Sequence, residues 1–211
     1  MTIDETKHKI LSDADFVASE CRKLQTLYKL KSVIRYDFER HEEIDTESVA
    51  EHVYGMHVLA SYFLPLENSD GSWDKEKIRL MIQYHDADEI ITGDKVGYLK
   101  TLSDKENEAE AKVSIIRLLP DSLKVSVSEA LEEYDEQATA ESKFVKAIDK
   151  IEPGFHLYNI NGIKIVQHLK VTRAENRSIK DKFIAPFSYI NRFHNVVEEA
   201  MQNEVFFTTN P

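Results

Sequence analysis

The sequence predicts an all-α fold, a helical bundle, and three observations carry the prediction. Glycine and proline are scarce, six and five in 211 residues, and they fall between periodic segments. Within those segments apolar residues recur at three- and four-residue spacing, the period of a helix with one buried face. No segment alternates apolar and polar residues as a half-buried strand does, and no internal repeat or low-complexity stretch interrupts the pattern.

Taken in order, the first predicted helix starts at Ser12, with Asp15 three residues on. It turns Phe16, Val17, Cys21, Leu24, Leu27 and Leu30 inward. Ile34 to Glu47 is polar and aperiodic, hence a loop. Ser48 to Glu51 (S-V-A-E) is a capping box, in which side chain and backbone satisfy each other's orphan groups. Val49, Val53, Met56, Leu59, Ala60 and Phe63 follow at helical spacing until Pro65 stops the run. A turn at Asp70-Gly71 leads to a helix from about Asp74 to Ile91, ended by Gly93. Ser103 to Glu106 reads as a second capping box and opens a helix that reaches Pro120. Further helices are predicted at about 122–136, 139–152, 162–175 and 187–204, and Pro153-Gly154 is expected to break or kink the sixth.

A chain of this length suits one domain, here 1–211, and can bury a full core. The net charge of −11, from 38 acidic and 27 basic residues, argues against a nucleic-acid polymer as partner, since such proteins need a basic footprint. It leaves room for a small phosphorylated substrate, because a bound cation and a few placed side chains override the global field locally. No apolar run approaches the roughly 18 residues of a membrane span. The polar opening MTIDETKHKI is expected to be neither a signal nor a transit peptide. One cysteine, Cys21, makes no internal disulfide, which favours a reducing cytoplasm; it reads as a small core residue.

The residues that point to chemistry are His52, the pair His85-Asp86, and Asp149. Each lies on a predicted helix among apolar neighbours, where an imidazole or carboxylate is costly without a partner. The inward stripe Ile78, Met81, Ile82 runs straight into His85, with Glu89 four residues on, one turn away on the same helix face. Asp149 follows Phe144, Val145 and Ile148 and so points to the core. Two imidazoles and two carboxylates from three helices can converge on one ion. Mixed nitrogen and oxygen donors suit Mn²⁺, Fe²⁺, Co²⁺, Ni²⁺ or Zn²⁺ better than Mg²⁺. Four protein ligands leave an octahedral ion two positions, for water and a substrate oxygen. A histidine on an apolar helix face is also the ordinary form of a hydrogen-bonded core residue, so spacing alone leaves both readings open.

The segments E-S-V-A-E-H (47–52), H-D-A-D-E-I-I-T-G-D (85–94) and E-S-K-F-V-K-A-I-D-K-I-E (141–152) carry a family resemblance. In kind and order they resemble the HD-domain 5'-deoxynucleotidases, over roughly residues 24–160. The resemblance implies an HD-domain helical bundle, with a catalytic core at about 24–160 and C-terminal helices at about 161–205. It implies one divalent transition metal held by His52, His85, Asp86 and Asp149, with Glu89 and Asp94 catalytic. It also implies that Arg35, in the loop before the first ligand helix, binds phosphate, with Tyr36 against the sugar. Tyr36 stands where the family often has tryptophan, and the following Y-D-F-E-R-H differs in length, so the preference between deoxyribose and ribose stays open. Without the resemblance Arg35 would read as a solvated loop cation.

The implied reaction is hydrolysis of a nucleoside 5'-monophosphate by metal-activated water, in a homodimer. The apolar stripe Phe187, Ile190, Phe193, Val197 would permit that dimer or would serve as core. The alternatives are a dNTP phosphohydrolase with the same metal centre and a non-catalytic helical interaction module with a structural metal. Thr92 and Lys95 could touch phosphate or shape the turn at Asp94. His156, seven residues beyond Asp149, reads as a core or rim histidine, and His57 faces away from His52.

Overall fold

Helical periodicity becomes helix along almost the whole chain in the structure, a computed structural model that describes residues 1–36, 40, 44 and 46–208. Of the predicted loop from Ile34 to Glu47, positions 37–39, 41–43 and 45 lie outside the described residues, and with them most of the Y-D-F-E-R-H segment. The helices are α1 (Ile3–Ser12), α2 (Ala14–Leu27), α3 (Val49–Glu67), α4 (Lys75–Tyr84), α5 (Glu89–Thr92) and α6 (Leu102–Leu118). They continue as α7 (Asp121–Glu136), α8 (Ala140–Leu157), α9 (Gly162–His168), α10 (Arg173–Ile184) and α11 (Ser188–Asn203). Among the described residues the β structure is one isolated antiparallel bridge, Ile34 to Ser48. It closes the loop by pairing Arg35 N–H with the Glu47 carbonyl and Val49 N–H with the Val33 carbonyl.

The main core surrounds α8. Phe144, Ile148 and Ile151 meet Met56 and Phe63 of α3, Met81 and Ile82 of α4, Ile184 of α10 and Ile190 of α11. A second cluster, with Leu157, Ile165, Val166, Met201 and Phe207, seals the end formed by α9 and the C-terminal segment. No described helix is long and apolar enough to cross a membrane.

Several expectations are corrected. The N-terminal region is two helices, because Asp13 accepts from the Phe16 N–H and caps α2 one residue later than expected. Neither helix buries a residue, and Cys21, Val17 and Leu24 are exposed; of the stripe expected to point inward, Leu27 packs partly buried against the cluster of Tyr84, Leu119, Val127 and Leu131, and Leu30, just past α2, is buried. Pro65 lies inside α3, which runs on to Glu67: the proline forfeits the bond to the Ser61 carbonyl but does not end the helix. Pro153-Gly154 does not end α8, because Ile151 and Glu152 before it and Leu157 after it are buried, and that packing outweighs proline's cost of about 3 kcal/mol. The second capping box is Thr101 with Asp104. The helix expected over 162–175 is two, parted at Lys170 with φ 53°. Thr172 and Glu175 form the capping box of α10, a signal already present in T-R-A-E. Of the stripe that would permit a dimer or serve as core, Phe187, at the cap of α11, and Ile190 belong to the main core of this same chain.

The correction that matters most concerns α4. It stops at Tyr84, and His85 to Asp88 form a turn before the single turn of α5. Ala87 N–H bonds the Tyr84 carbonyl and Glu89 N–H the Asp86 carbonyl, three residues back instead of four. Glu89 therefore reaches the His85-Asp86 side by this tightened turn and not by lying on one continuous helix face.

Candidate metal centre

His52 enters from the first turns of α3, His85 and Asp86 from the turn after α4, and Asp149 from the middle of α8. His52, His85 and Asp86 offer donor atoms that all lie within 4.8 Å of one another. Asp149 is outside that set of three, but its Oδ1 stands 3.5 Å from His52 Nε2. Donors sharing one ion at bonds of about 2.1 Å lie roughly 3.0 Å apart when adjacent and about 4.2 Å when opposite. His85 Nε2 to Asp86 Oδ2 is 3.0 Å and His52 Nε2 to Asp86 Oδ2 is 3.9 Å, inside that range.

The tautomers strengthen the fit. His85 Nδ1 lies 3.0 Å from the Ile82 carbonyl, which can only accept, so Nδ1 donates. His52 Nδ1 likewise donates to Glu152 Oε2 at 2.6 Å. In the neutral rings both lone pairs sit on Nε2, and both Nε2 atoms are buried without a hydrogen bond among the described residues. Two lone pairs and two carboxylates facing one another need something positive between them. Without an ion, a proton supplies it: burial and Arg35 oppose charging His52, yet Asp149 and Glu152 prevail and raise its pKa from 6.5 to about 9. The residues fit a divalent ion bound by mixed nitrogen and oxygen donors.

A layer of supporting groups surrounds the donors. Asp149 Oδ2 accepts from Tyr134 Oη at 2.9 Å and Lys150 Nζ at 2.9 Å, with Lys146 Nζ at 3.3 Å, which leaves Oδ1 for the cluster. Glu152 orients His52, as carboxylates commonly orient ligand histidines. Gly55 makes room for it, since a Cβ there would stand 2.5 Å from Glu152 Oε1. Sequence reading missed Glu152, Glu47, Tyr134 and the two lysines. Glu152 stands one turn past Asp149, and Lys146 and Lys150 flank it, which is signal enough on a helix already marked as important.

Glu89 is buried, with Oε2 free of any hydrogen bond among the described residues. Burial first, then the charges of Asp86 and Asp94, push its carboxyl well above the ordinary range, against the pull of Arg35 and Lys100. Arg35 is no solvated cation: its side chain is 12% exposed and donates to Glu47 at 2.8 Å, with Asp94 at 3.7 Å and Glu152 at 3.6 Å. Tyr36 adopts φ 74°, a left-handed conformation uncommon outside glycine. Three contacts hold it there: its N–H to Asp94 Oδ2 at 3.2 Å, its hydroxyl to Glu47 at 3.0 Å, and its ring stacked on His156. Asp94 thus pins the Arg35-Tyr36 corner, and His156 stands at the rim, 3.6 Å from Glu47. Asp86, Glu89, Asp149, Arg35 and Tyr36 line one cavity, which continues between α8, α10 and α11 to an apolar end at Val166, Met201 and Phe207.

Comparison with known proteins agrees in kind. A family model described as HD domain matches residues 27–189. The 5'-deoxynucleotidase HDDC2 of Xenopus laevis is 33% identical over 127 residues, 59% of this chain and 60% of that protein. Its human counterpart is 33% identical over 132 residues, 61% and 62%. The chain therefore spans less than two thirds of these relatives' length. A 5'-deoxynucleotidase of Citrobacter koseri is 26% identical over 194 residues, 84% of this chain and 94% of that one. The crystal structure of a predicted metal-dependent phosphohydrolase from Magnetospirillum magnetotacticum shares the fold, with TM-score 0.74 at 23% identity over 92% and 96% of the two chains.

Proposed function

The chain belongs to the HD domain family, and from that premise we propose that it is a metal-dependent phosphohydrolase removing the 5'-phosphate of (deoxy)nucleoside monophosphates. The observation that carries the reading is the pair of buried Nε2 atoms of His52 and His85, which make no hydrogen bond among the described residues and converge with Asp86 beside the cavity that Asp86 and Glu89 line. His52, His85, Asp86 and Asp149 would hold one divalent transition ion. Such an ion lowers the pKa of a water towards about 7 and draws charge from a phosphoryl oxygen.

The chain's own groups do the rest. Water attacks phosphorus in line with the 5'-oxygen, the P–O bond to that oxygen breaks, and the water's proton must reach the departing alkoxide. Glu89 carries it: burial raises its carboxyl well above the ordinary range, which makes it a stronger base than a solvated glutamate and able to take a proton and return it. Arg35 meets the charge growing on the phosphoryl oxygens, Asp94 keeps Arg35 and Tyr36 in place, and Tyr36 lies against the sugar. The second reading, a dNTP phosphohydrolase, draws on the lysines along the same cavity.

The test is metal-stripped protein given Mn²⁺, Fe²⁺, Co²⁺, Ni²⁺, Zn²⁺, Mg²⁺ or Ca²⁺ with a panel of nucleotides. We expect orthophosphate from monophosphates, with transition ions well ahead of Mg²⁺ and Ca²⁺, because two imidazoles disfavour hard ions. Pyrophosphate or triphosphate released from a dNTP would favour the second reading. Full activity after exhaustive chelation would sink both.

We read the working form as a homodimer, on the family resemblance and on an apolar face left open on α3. Tyr54, Val58, Tyr62 and Leu66 recur every fourth residue and are all exposed. Light scattering should give a dimer mass that Val58→Glu reduces to a monomer; a concentration-independent monomer mass in the parent protein would contradict this.

A further inference from the structure

Five lysines line the cavity: Lys95, Lys100, Lys146, Lys150 and Lys180. Four have their ammonium against a carboxylate. Lys95 bonds Asp104 at 2.6 Å, Lys100 bonds Glu108 at 2.7 Å, and Lys146 and Lys150 meet Asp149. Lys180 has neither hydrogen bond nor ion pair among the described residues, although it is only 8% exposed. Lysine is almost never buried this deeply without a partner, because removing an ammonium from water is costly unless an anion compensates.

Asn176 and Lys180 lie one turn apart on the side of α10 that faces the cavity, and Ile184, one turn further, enters the main core. The groups whose charge acts on Lys180 are Glu198, Lys150, Asp149 and Glu152. Glu198 acts most strongly, and Asp149 and Glu152, which belong to the metal centre and its support, also act on it, so Lys180 lies within electrostatic reach of that centre along the cavity it shares with Asp86, Glu89 and Asp149.

We propose that Lys180 donates to a non-bridging oxygen of the phosphate that is hydrolysed, holding it from the α10 wall while Arg35 holds it from the loop. The proposal rests on the phosphohydrolase reading and adds a residue that neither the motifs nor the resemblance marked. Burial lowers the pKa of Lys180 to about 8, with Glu198 opposing and Lys150 assisting, so near neutral pH it is still mainly charged and ready for an anion. No carboxylate among the described residues is within ion-pair distance of it, and Glu198 is itself engaged by Arg177 and Asn176, whereas Lys146 and Lys150 are engaged by Asp149.

The experiment compares parent, Lys180→Met and Lys180→Gln, each loaded with Mn²⁺. Three readouts are taken: metal content, melting temperature with and without inorganic phosphate, and steady-state kinetics on a deoxynucleoside monophosphate and its triphosphate. Without phosphate, Lys180→Met should melt at or above the parent, because an unpaired buried charge is gone. Phosphate should stabilise the parent and do so several-fold less in the variant. KM for the monophosphate should rise about 10- to 100-fold, the size of a lost charge-assisted hydrogen bond, at unchanged metal content. Should Lys180→Met fail to fold, Lys180→Gln provides the same comparison.

Equal phosphate stabilisation and equal KM in parent and variant would overturn the proposal and leave the phosphohydrolase reading standing. A rise in KM confined to the triphosphate would overturn the assignment to the hydrolysed phosphate. A parent that neither binds phosphate nor hydrolyses any nucleotide would bring down both readings.

Discussion

Glu89→Gln should retain a full complement of metal and near-parental stability while turnover falls by about 10²- to 10⁴-fold, the range of a lost proton-transfer group. Burial first, then the charges of Asp86 and Asp94, hold the Glu89 carboxyl well above the ordinary range, which favours its protonated form relative to a solvated glutamate. Glutamine matches that neutral form in shape and charge, and burying it costs little more. What it cannot do is accept the water's proton and deliver it to the leaving oxygen. Elemental analysis, melting temperature and kcat separate the possibilities. Metal loss equal to that of a ligand variant would make Glu89 a ligand, and parental turnover would remove it from the reaction.

His85→Ala should behave in the opposite way, losing metal affinity and stability together. An ion that binds only the folded chain stabilises it by about 4 kcal/mol when present at 1,000 times its dissociation constant. In a chain of this size that corresponds to roughly 10 °C in melting temperature. The variant should forfeit most of that difference, and chelation should narrow the gap between variant and parent by that amount, leaving only the cost of the lost packing and of the Ile82 hydrogen bond. Asp149→Ala should follow the same course, with the added cost of leaving Lys146 and Lys150 without their carboxylate. A gap that chelation does not narrow would mean that His85 matters to packing and not to an ion. The affinity of the parent should itself weaken as pH falls from about 9, because an incoming ion must displace the proton that Asp149 and Glu152 hold on His52.

Periodicity marked His52, His85, Asp86 and Asp149 as polar groups among apolar neighbours but left a core reading open, and the family resemblance singled them out as a ligand set; the structure gathers His52, His85 and Asp86, with Asp149 beside His52. Helix ends were less legible. Pro65 and Pro153 read as stops, and tertiary packing carried both helices past them. The single helix expected from Asp74 to Ile91 became a helix, a tight turn and one further turn, which changed how Glu89 reaches the centre.

The sequence by itself determined the all-helical class, the order of the elements and the donor types, because these depend on local periodicity and on which side chains can bind what. Only the tertiary structure decided the pairings between segments distant in the chain. Glu152 meets His52 across 100 residues, and Asp94 takes the N–H of Tyr36 across 58. Lys180 was invisible for the same reason. A lysine on the polar helix Arg173–Ile184 looks like any solvated cation, and it becomes a buried, unpartnered charge only when α10 closes against α8. Local propensity records what a residue prefers in water, and tertiary packing decides whether water is there.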